Sequence, residues 1–279
     1  MKIHSIDTGL FKLDGGAMFG VVPKSMWQRL NPPDENNMCT WAMRCLLIEE
    51  GDKLILIDTG MGTKQDDKFR SHFYPHGEAT LVNSIHKAGF SIDQITDVIL
   101  THLHFDHCGG AIARDGERLV PQFKNATYWS HADHWNWAIN PNDREKASFL
   151  KENILPIEES GQLRFIEEHS FKNHHIDFDF AFGHTEAMTI PLIDFNGQKI
   201  VFAADLMPSS YHIPMAYVMG YDIRPMDTLK ERERLYKYVL EHNACILFEH
   251  DAVNEFGTLK KNEQGRIVLD KVGKIADLI

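Results

Sequence analysis

Thr101-His102-Leu103-His104-Phe105-Asp106-His107-Cys108-Gly109-Gly110 is the stretch on which the reading of this chain turns. Four side chains able to bind a metal fall within residues 102–107, directly after the apolar run Asp97-Val98-Ile99-Leu100. In an extended segment side chains alternate, so His102 and His104 point the same way. The chain must then turn, and Asp106 and His107 can address a second point a few ångströms away. Imidazole with carboxylate suits zinc, with manganese or iron as alternatives. Gly109 and Gly110 permit close backbone approach and the start of a helix.

Outward from this stretch, strand and helix signals alternate. IHSIDTG and FKLDGGAMFGVV read as strand, turn and strand around Gly15–Gly16, and the proline-containing segment 23–39 reads as a loop. Residues 41–62 hold two apolar runs joined by Glu50-Gly51-Asp52, a hairpin signal. Leu81, Ile85 and Ala88 have helical spacing, with Gly89 as a stop. In the second half, Thr127–Ile139 reads as a strand followed by a helix, and Phe195-Asn196-Gly197 as a hairpin turn between strands. MDTLKERERLYKYVLEH reads as a helix with Asp227 as its N-cap. Alternation with hairpins in both halves predicts two mixed sheets packed together with helices outside, in a single domain spanning residues 1–279.

Composition narrows the function classes. Of 279 residues, 29 are basic and 40 acidic, a net charge of −11 that disfavours nucleic acid as a partner. Sixteen histidines are an excess worth tracing. Four cysteines form no CxxC pair and suggest no disulfide scaffold. No apolar run at the N-terminus resembles a secretory signal, and no window is long enough to span a bilayer. The expected compartment is the cytoplasm.

The stretch 102–107 resembles the His-x-His-x-Asp-His signature of the metallo-β-lactamase superfamily, and other stretches are similar to that family in order. Asp58-Thr59-Gly60 looks like its early Asp-Thr-Gly turn, Gly183-His184-Thr185 its third histidine motif, Asp205 its bridging acid and His250 its last histidine. The resemblance covers roughly residues 1–255. It implies an αββα sandwich with two divalent metal ions at one edge, most simply zinc. His102, His104 and His184 would hold the first ion, Asp106, His107 and His250 the second, and Asp205 would bridge them. Asp58 would orient a ligand histidine from behind. His184 and Asp205 both follow apolar runs, where side chains converge on a sheet edge.

Two such ions generate a bridging hydroxide and polarise the bond it attacks, so hydrolysis is the expected reaction, with Asp106 also accepting a proton. Redox chemistry is disfavoured, because diiron members carry glutamate where His104 stands. Asp205 argues against the β-lactamases proper. The short tail after His250 is unlike the helical region of hydroxyacylglutathione hydrolases. HFDHxGG is closest to the N-acyl-homoserine lactone lactonases, so the function expected is opening of such a lactone, as in quorum quenching. Hydrolysis of a phosphotriester, another ester or a thioester is the alternative, and a noncatalytic metal-binding regulator stands behind it.

One departure stands out. Those lactonases carry a tyrosine three residues after the bridging acid to hold the substrate carbonyl, and here that position is Pro208. Tyr211 and His212 are the nearest candidates along the chain, with Tyr217 and Tyr221 in the same loop. Met18, Phe19, Trp27, Met207, Met215 and Met219 fall in segments with loop punctuation and could line an apolar pocket. Trp135 reads as helix packing, with His131 and His134 as polar partners. The expected partner is a small, neutral, partly apolar substrate, with neither nucleic acid nor membrane and with a homodimer left open.

Overall fold

A computed structural model describes residues 1–169, 171 and 173–278. Its strands follow the chain as β1 (Lys2–Asp14), β2 (Met38–Glu50), β3 (Lys53–Ile57), β4 (Asp97–Ile99), β5 (Ile112–Asp115), β6 (Arg118–Pro121), β7 (Thr127–Ser130) and β8 (Leu163–Phe165). The second half adds β9 (Ile176–Ala181), β10 (Met188–Phe195), β11 (Gln198–Phe202), β12 (Cys245–Leu247), β13 (Phe256–Lys261) and β14 (Ile267–Gly273). One six-stranded sheet has the order β1-β2-β3-β4-β7-β8, and the other β14-β13-β12-β11-β10-β9. Each is mixed: β3 runs parallel to β4, and β11 parallel to β12, while the hairpins are antiparallel.

Alternation in the strands explains the layering. Leu46 and Ile48 of β2, with Ile55 and Ile57 of β3, pack toward the second sheet among Ile190, Val201 and Ile246. Their neighbours Cys45, Leu47, Leu54 and Leu56 face the opposite way, onto helical residues Ile85, Trp135 and Ile154. A strand buried on both faces reads as a continuous apolar run, as these do. The helix Pro225–His242 covers the second sheet through Leu235, Tyr236 and Val239. This is the expected αββα arrangement.

Local details differ from the sequence expectations. The N-terminus is one long strand, bulged between Asp7 and Leu10, where Gly9 takes φ 107°. Gly15–Gly16 opens a short helix to Phe19 instead of turning a hairpin, because the Asp14 carboxylate caps Ala17 N. Residues 24–27 of the expected loop are helical. The long helix starts at Pro225 with Arg224 at the cap position, which puts Asp227 inside the first turn. The hairpin β5–β6 and the helix Lys151–Glu159 carried no clear sequence signal.

The double glycine after the histidine stretch is required by packing. A Cβ on Gly109 would stand 2.0 Å from Met61 O, and one on Gly110 2.2 Å from Thr59 O. The turn after β3 therefore lies directly on the turn after β4. Gly109→Ala is expected to destabilise the fold by at least the roughly 1–3 kcal/mol typical of overpacked cores, because backbone and not a flexible side chain must yield. An unchanged denaturation midpoint would show that the two turns separate freely.

Candidate metal centre

Every candidate ligand, and Asp58 behind them, follows the carboxyl end of a strand, so the sheets bring them to one edge. Asp58 follows β3, His102 to His107 follow β4, His184 follows β9, Asp205 follows β11 and His250 follows β12. After β4 the chain runs extended to His104, which stands at the N-cap position of the short helix Phe105–Cys108. That helix presents Asp106 and His107. Asp58 and Ala204 take positive φ, 58° and 42°, sparsely populated conformations for residues other than glycine. Both lie where the chain must bend sharply to place an acid.

The side chains form two groups joined by one carboxylate. His184 Nε2 is 3.2 Å from His104 Nδ1 and 3.1 Å from Asp205 Oδ2, and His102 Nε2 is 3.9 Å from the same oxygen. The other oxygen, Oδ1, is 3.0 Å from His250 Nε2 and 3.6 Å from His107 Nε2. Asp106 Oδ2 lies 3.7 Å from His250 Nε2 and 3.8 Å from His107 Nε2. The second group thus gathers Asp106, His107 and His250. All seven residues are buried.

The far side of most of these rings is fixed by hydrogen bonds. His184 Nδ1 meets Asp222 Oδ1 at 2.9 Å, and His250 Nδ1 meets the Ala42 carbonyl at 2.7 Å. His107 Nδ1 lies 3.2 Å from Asp58 Oδ2 and 3.1 Å from Glu249 Oε2. Thr101 donates its hydroxyl to Asp58 at 2.6 Å, and its oxygen lies 3.1 Å from His102 Nδ1. His104 Nε2 sits 3.9 Å from Glu145 Oε1. Asp222, Glu249 and Glu145 had no sequence signal: each arrives from a segment remote from the ligand it faces. His134, expected as a polar partner, accepts from Leu103 N at 2.8 Å and so fixes the residue between His102 and His104. Trp135 packs in the core, and His131 caps its own helix.

The donor set fits cations. His250 must donate Nδ1–H to a carbonyl and His107 donates Nδ1–H to a carboxylate, so each neutral ring turns its Nε2 lone pair inward, and these two atoms are 3.2 Å apart. Lone pairs so close demand a cation or a proton. His102 Nε2 is fully buried with no hydrogen-bond partner. Burial lowers the pKa of His184, but Asp205 and Asp222 outweigh it and raise it to about 10. Asp205 is itself held well below the usual carboxylate range: burial opposes this, and His250, His184 and His107 outweigh burial. Protons thus compete for the positions a metal would take.

A cavity of about 340 Å³ opens over these groups. Asp106, His184, Asp205 and His250 form its floor, while Leu13, Met18, Phe73 and Phe105 supply apolar wall. Arg144, Glu145, Ser148 and Tyr221 also line it. Tyr211 and His212 do not reach this wall. His212 is fully buried, stacked on Phe19 with ring centroids 5.0 Å apart, and both its nitrogens are engaged, by Ser209 Oγ at 2.7 Å and Met18 O at 3.0 Å. Burial pushes its pKa down to about 3. Tyr211 lines a separate groove between the helix 225–242 and the β13–β14 hairpin. Of the apolar loop residues, Met18 lines the cavity, while Phe19, Trp27, Met207 and Met219 are buried in packing.

The sequence pattern of the metallo-beta-lactamase superfamily matches residues 44–250. The chain belongs to this superfamily. A solved structure of a probable metal-dependent hydrolase from Staphylococcus aureus, 29% identical, superposes with a TM-score of 0.87 over 97% of this chain and 95% of that one. An N-acyl homoserine lactonase of Bacillus cereus is 24% identical over 276 residues, 92% of this chain and 95% of the relative. One from Bacillus thuringiensis is 28% identical over 165 residues, a match that spans only 56% of that relative's length. The dizinc quorum-quenching lactonase AidC shares the fold, with a TM-score of 0.79 at 21% identity over 98% of this chain and 94% of that one. In this metallo-beta-lactamase superfamily member no helix among the described residues is long and apolar enough to cross a membrane.

Because Asp222 fixes His184 from behind, Asp222→Ala should weaken the first metal group without unfolding the chain. Loss of such a partner typically costs about 10–100-fold in metal affinity or activity. Zinc titration against a competing chelator checks this. Wild-type affinity in the variant would mean that packing alone holds the ring.

Proposed function

We propose that the protein is a dinuclear metal-dependent hydrolase that opens a lactone or related ester, an N-acyl-homoserine lactone first among them, and so acts in quorum quenching. The observation that carries this is Asp205, whose two oxygens face two separate ligand groups on the floor of a partly apolar cavity. His102, His104 and His184 would hold one ion and Asp106, His107 and His250 the other, with Asp205 shared. Nitrogen and carboxylate donors suit zinc first, then manganese or iron. Such ions supply an activated water at neutral pH and electrostatic pull on a carbonyl or phosphoryl oxygen.

The chain's own residues do the rest. Asp106 stands on the cavity floor, where its carboxylate can take the proton released during attack. Leu13, Met18, Phe73 and Phe105 exclude water and offer a wall for an acyl chain. Net charge of −11 and this apolar wall favour a small neutral substrate over nucleic acid. Four buried, unpaired cysteines accord with work in the cytoplasm.

The test is turnover by the zinc-loaded protein of acyl lactones, thioesters, phosphotriesters and β-lactams. Acyl lactones should be cleaved fastest. Phosphotriester hydrolysis far exceeding that of any lactone would overturn the lactonase reading, and absence of all turnover at full metal content would overturn the hydrolase reading.

A further inference from the structure

We propose that Tyr221 donates a hydrogen bond to the oxygen of the carbonyl under attack, and that Arg144 is the positioning residue that holds it there. The proposal rests on the hydrolase reading above. Addition to a carbonyl builds negative charge on its oxygen, and a fixed donor aimed at that charge lowers the barrier. The position that would supply a phenol close to the bridging acid is Pro208, which has no donor at all. Tyr221 is the phenol on the cavity wall, facing the same space as Asp106, Asp205 and His250.

Its hydroxyl makes no hydrogen bond with the described residues, whereas the buried phenols of Tyr128 and Tyr236 each donate to a carbonyl, at 3.1 Å and 2.6 Å. The residue is 37% exposed, and burial, then the charges of Asp106, Asp14 and Asp205, raises its pKa. Its phenol lines the same cavity as Asp106 and Asp205, with no partner of its own among the described residues to donate to.

The backbone on either side of Tyr221 is pinned from three directions. Arg144 Nη2 donates to the carbonyl of Gly220 and, at 3.3 Å, to that of Asp222. Gly220 N donates to Ala17 O at 2.7 Å. The Asp222 carboxylate is held by Thr228 at 2.8 Å while it fixes His184. Arg144 is the one of these ties made by a side chain that itself lines the cavity. A pre-organised donor costs no reorganisation at the moment of reaction, which is what such a strap provides.

The experiment uses full-length, zinc-loaded protein and the lactone or ester it cleaves fastest. Tyr221→Phe should lower kcat by about 10²–10³-fold, the loss typical of one oxyanion donor, with KM and metal content little changed. Arg144→Ala should lower kcat by a smaller factor, and Arg144→Lys should restore part of it. Because Arg144 acts through Tyr221, the double variant Tyr221→Phe/Arg144→Ala should be no slower than Tyr221→Phe alone. Multiplying losses in the double variant would overturn the role given to Arg144. Undiminished kcat in Tyr221→Phe, or loss confined to Ser148→Ala, the other hydroxyl on the wall, would overturn the role of Tyr221. An active wild type with an equally active Tyr221→Phe sinks this proposal alone. A wild type inactive on every substrate sinks the hydrolase reading and this one with it.

Discussion

Asp205→Asn should reduce the metal content of the protein from two ions per chain to one or none and remove most of its hydrolytic activity. The side chain is only 6% exposed and spends both oxygens on the two ligand groups, 3.1 Å from His184 and 3.0 Å from His250. The amide keeps the size but replaces one of those oxygens by a donor NH₂, which repels a cation. It also deletes the negative charge common to both groups. The activity loss should exceed the roughly 10–100-fold that follows removal of a partner behind a ligand. Elemental analysis and turnover on the same preparation decide it. Two ions and full activity in the variant would reduce Asp205 to a turn residue.

Stripping the metal should cost stability as well as activity. His102, His107, His184 and His250 are all at most 1% exposed, and their inward nitrogens face one another and Asp205. A ligand that binds only the folded state stabilises it by about 4 kcal/mol at a free concentration of 1,000 times its Kd. For a chain of this size roughly 2–4 °C of Tm accompanies each kcal/mol, so chelation should lower Tm by on the order of 10 °C. Adding back zinc should restore it. A melting curve unchanged by chelation, with metal shown to be gone, would mean that the edge of the sandwich needs no ion to hold its charges apart.

The charge pattern gives the physical reason for both results. In spite of burial, Asp205 and Asp222 keep His184 above its ordinary pKa, Glu249, Asp106 and Asp205 do so for His107, and Asp205 with Asp106 for His250. Protons on these rings are a poor substitute for ions, because neighbouring imidazolium groups repel one another. His102 and His104 show that repulsion directly: burial and then their histidine neighbours push both well below the ordinary range.

The fold class was legible because its two periodicities are written in the chain. Apolar runs such as Cys45–Ile48 and Lys53–Ile57, joined by Glu50-Gly51-Asp52, describe strands buried on both faces, and the 225–242 helix shows its apolar stripe. The Gly15–Gly16 turn was misread because a glycine pair signals a turn, while the Asp14 cap that starts a helix there depends on backbone geometry. The hairpin β5–β6 is half-exposed and short, so it leaves little pattern.

The candidate ligands were legible for a different reason. Histidine and acid at the ends of apolar runs, in the order of the superfamily motifs they resemble, support one another even though each alone is weak. The loop after Asp205 had no such redundancy. Distance along the chain favoured Tyr211 and His212, but the 3₁₀ turn Ser210–His212 folds His212 beneath Met18 and sends Tyr211 to another groove. Tyr221, farther along, comes back over the cavity.

What the sequence by itself determined is therefore the apolar strands at the centre of both sheets, which follow from local periodicity, and the histidine stretch 102–107, which follows from residue type, while the rest of the ligand set followed from the superfamily resemblance. The partners behind the ligands, Asp222, Glu249 and Glu145, and the phenol that faces the cavity were decided only by the tertiary structure. They reach the site from segments whose approach is set by how the two sheets and their loops pack, and no spacing along the chain records that distance in space.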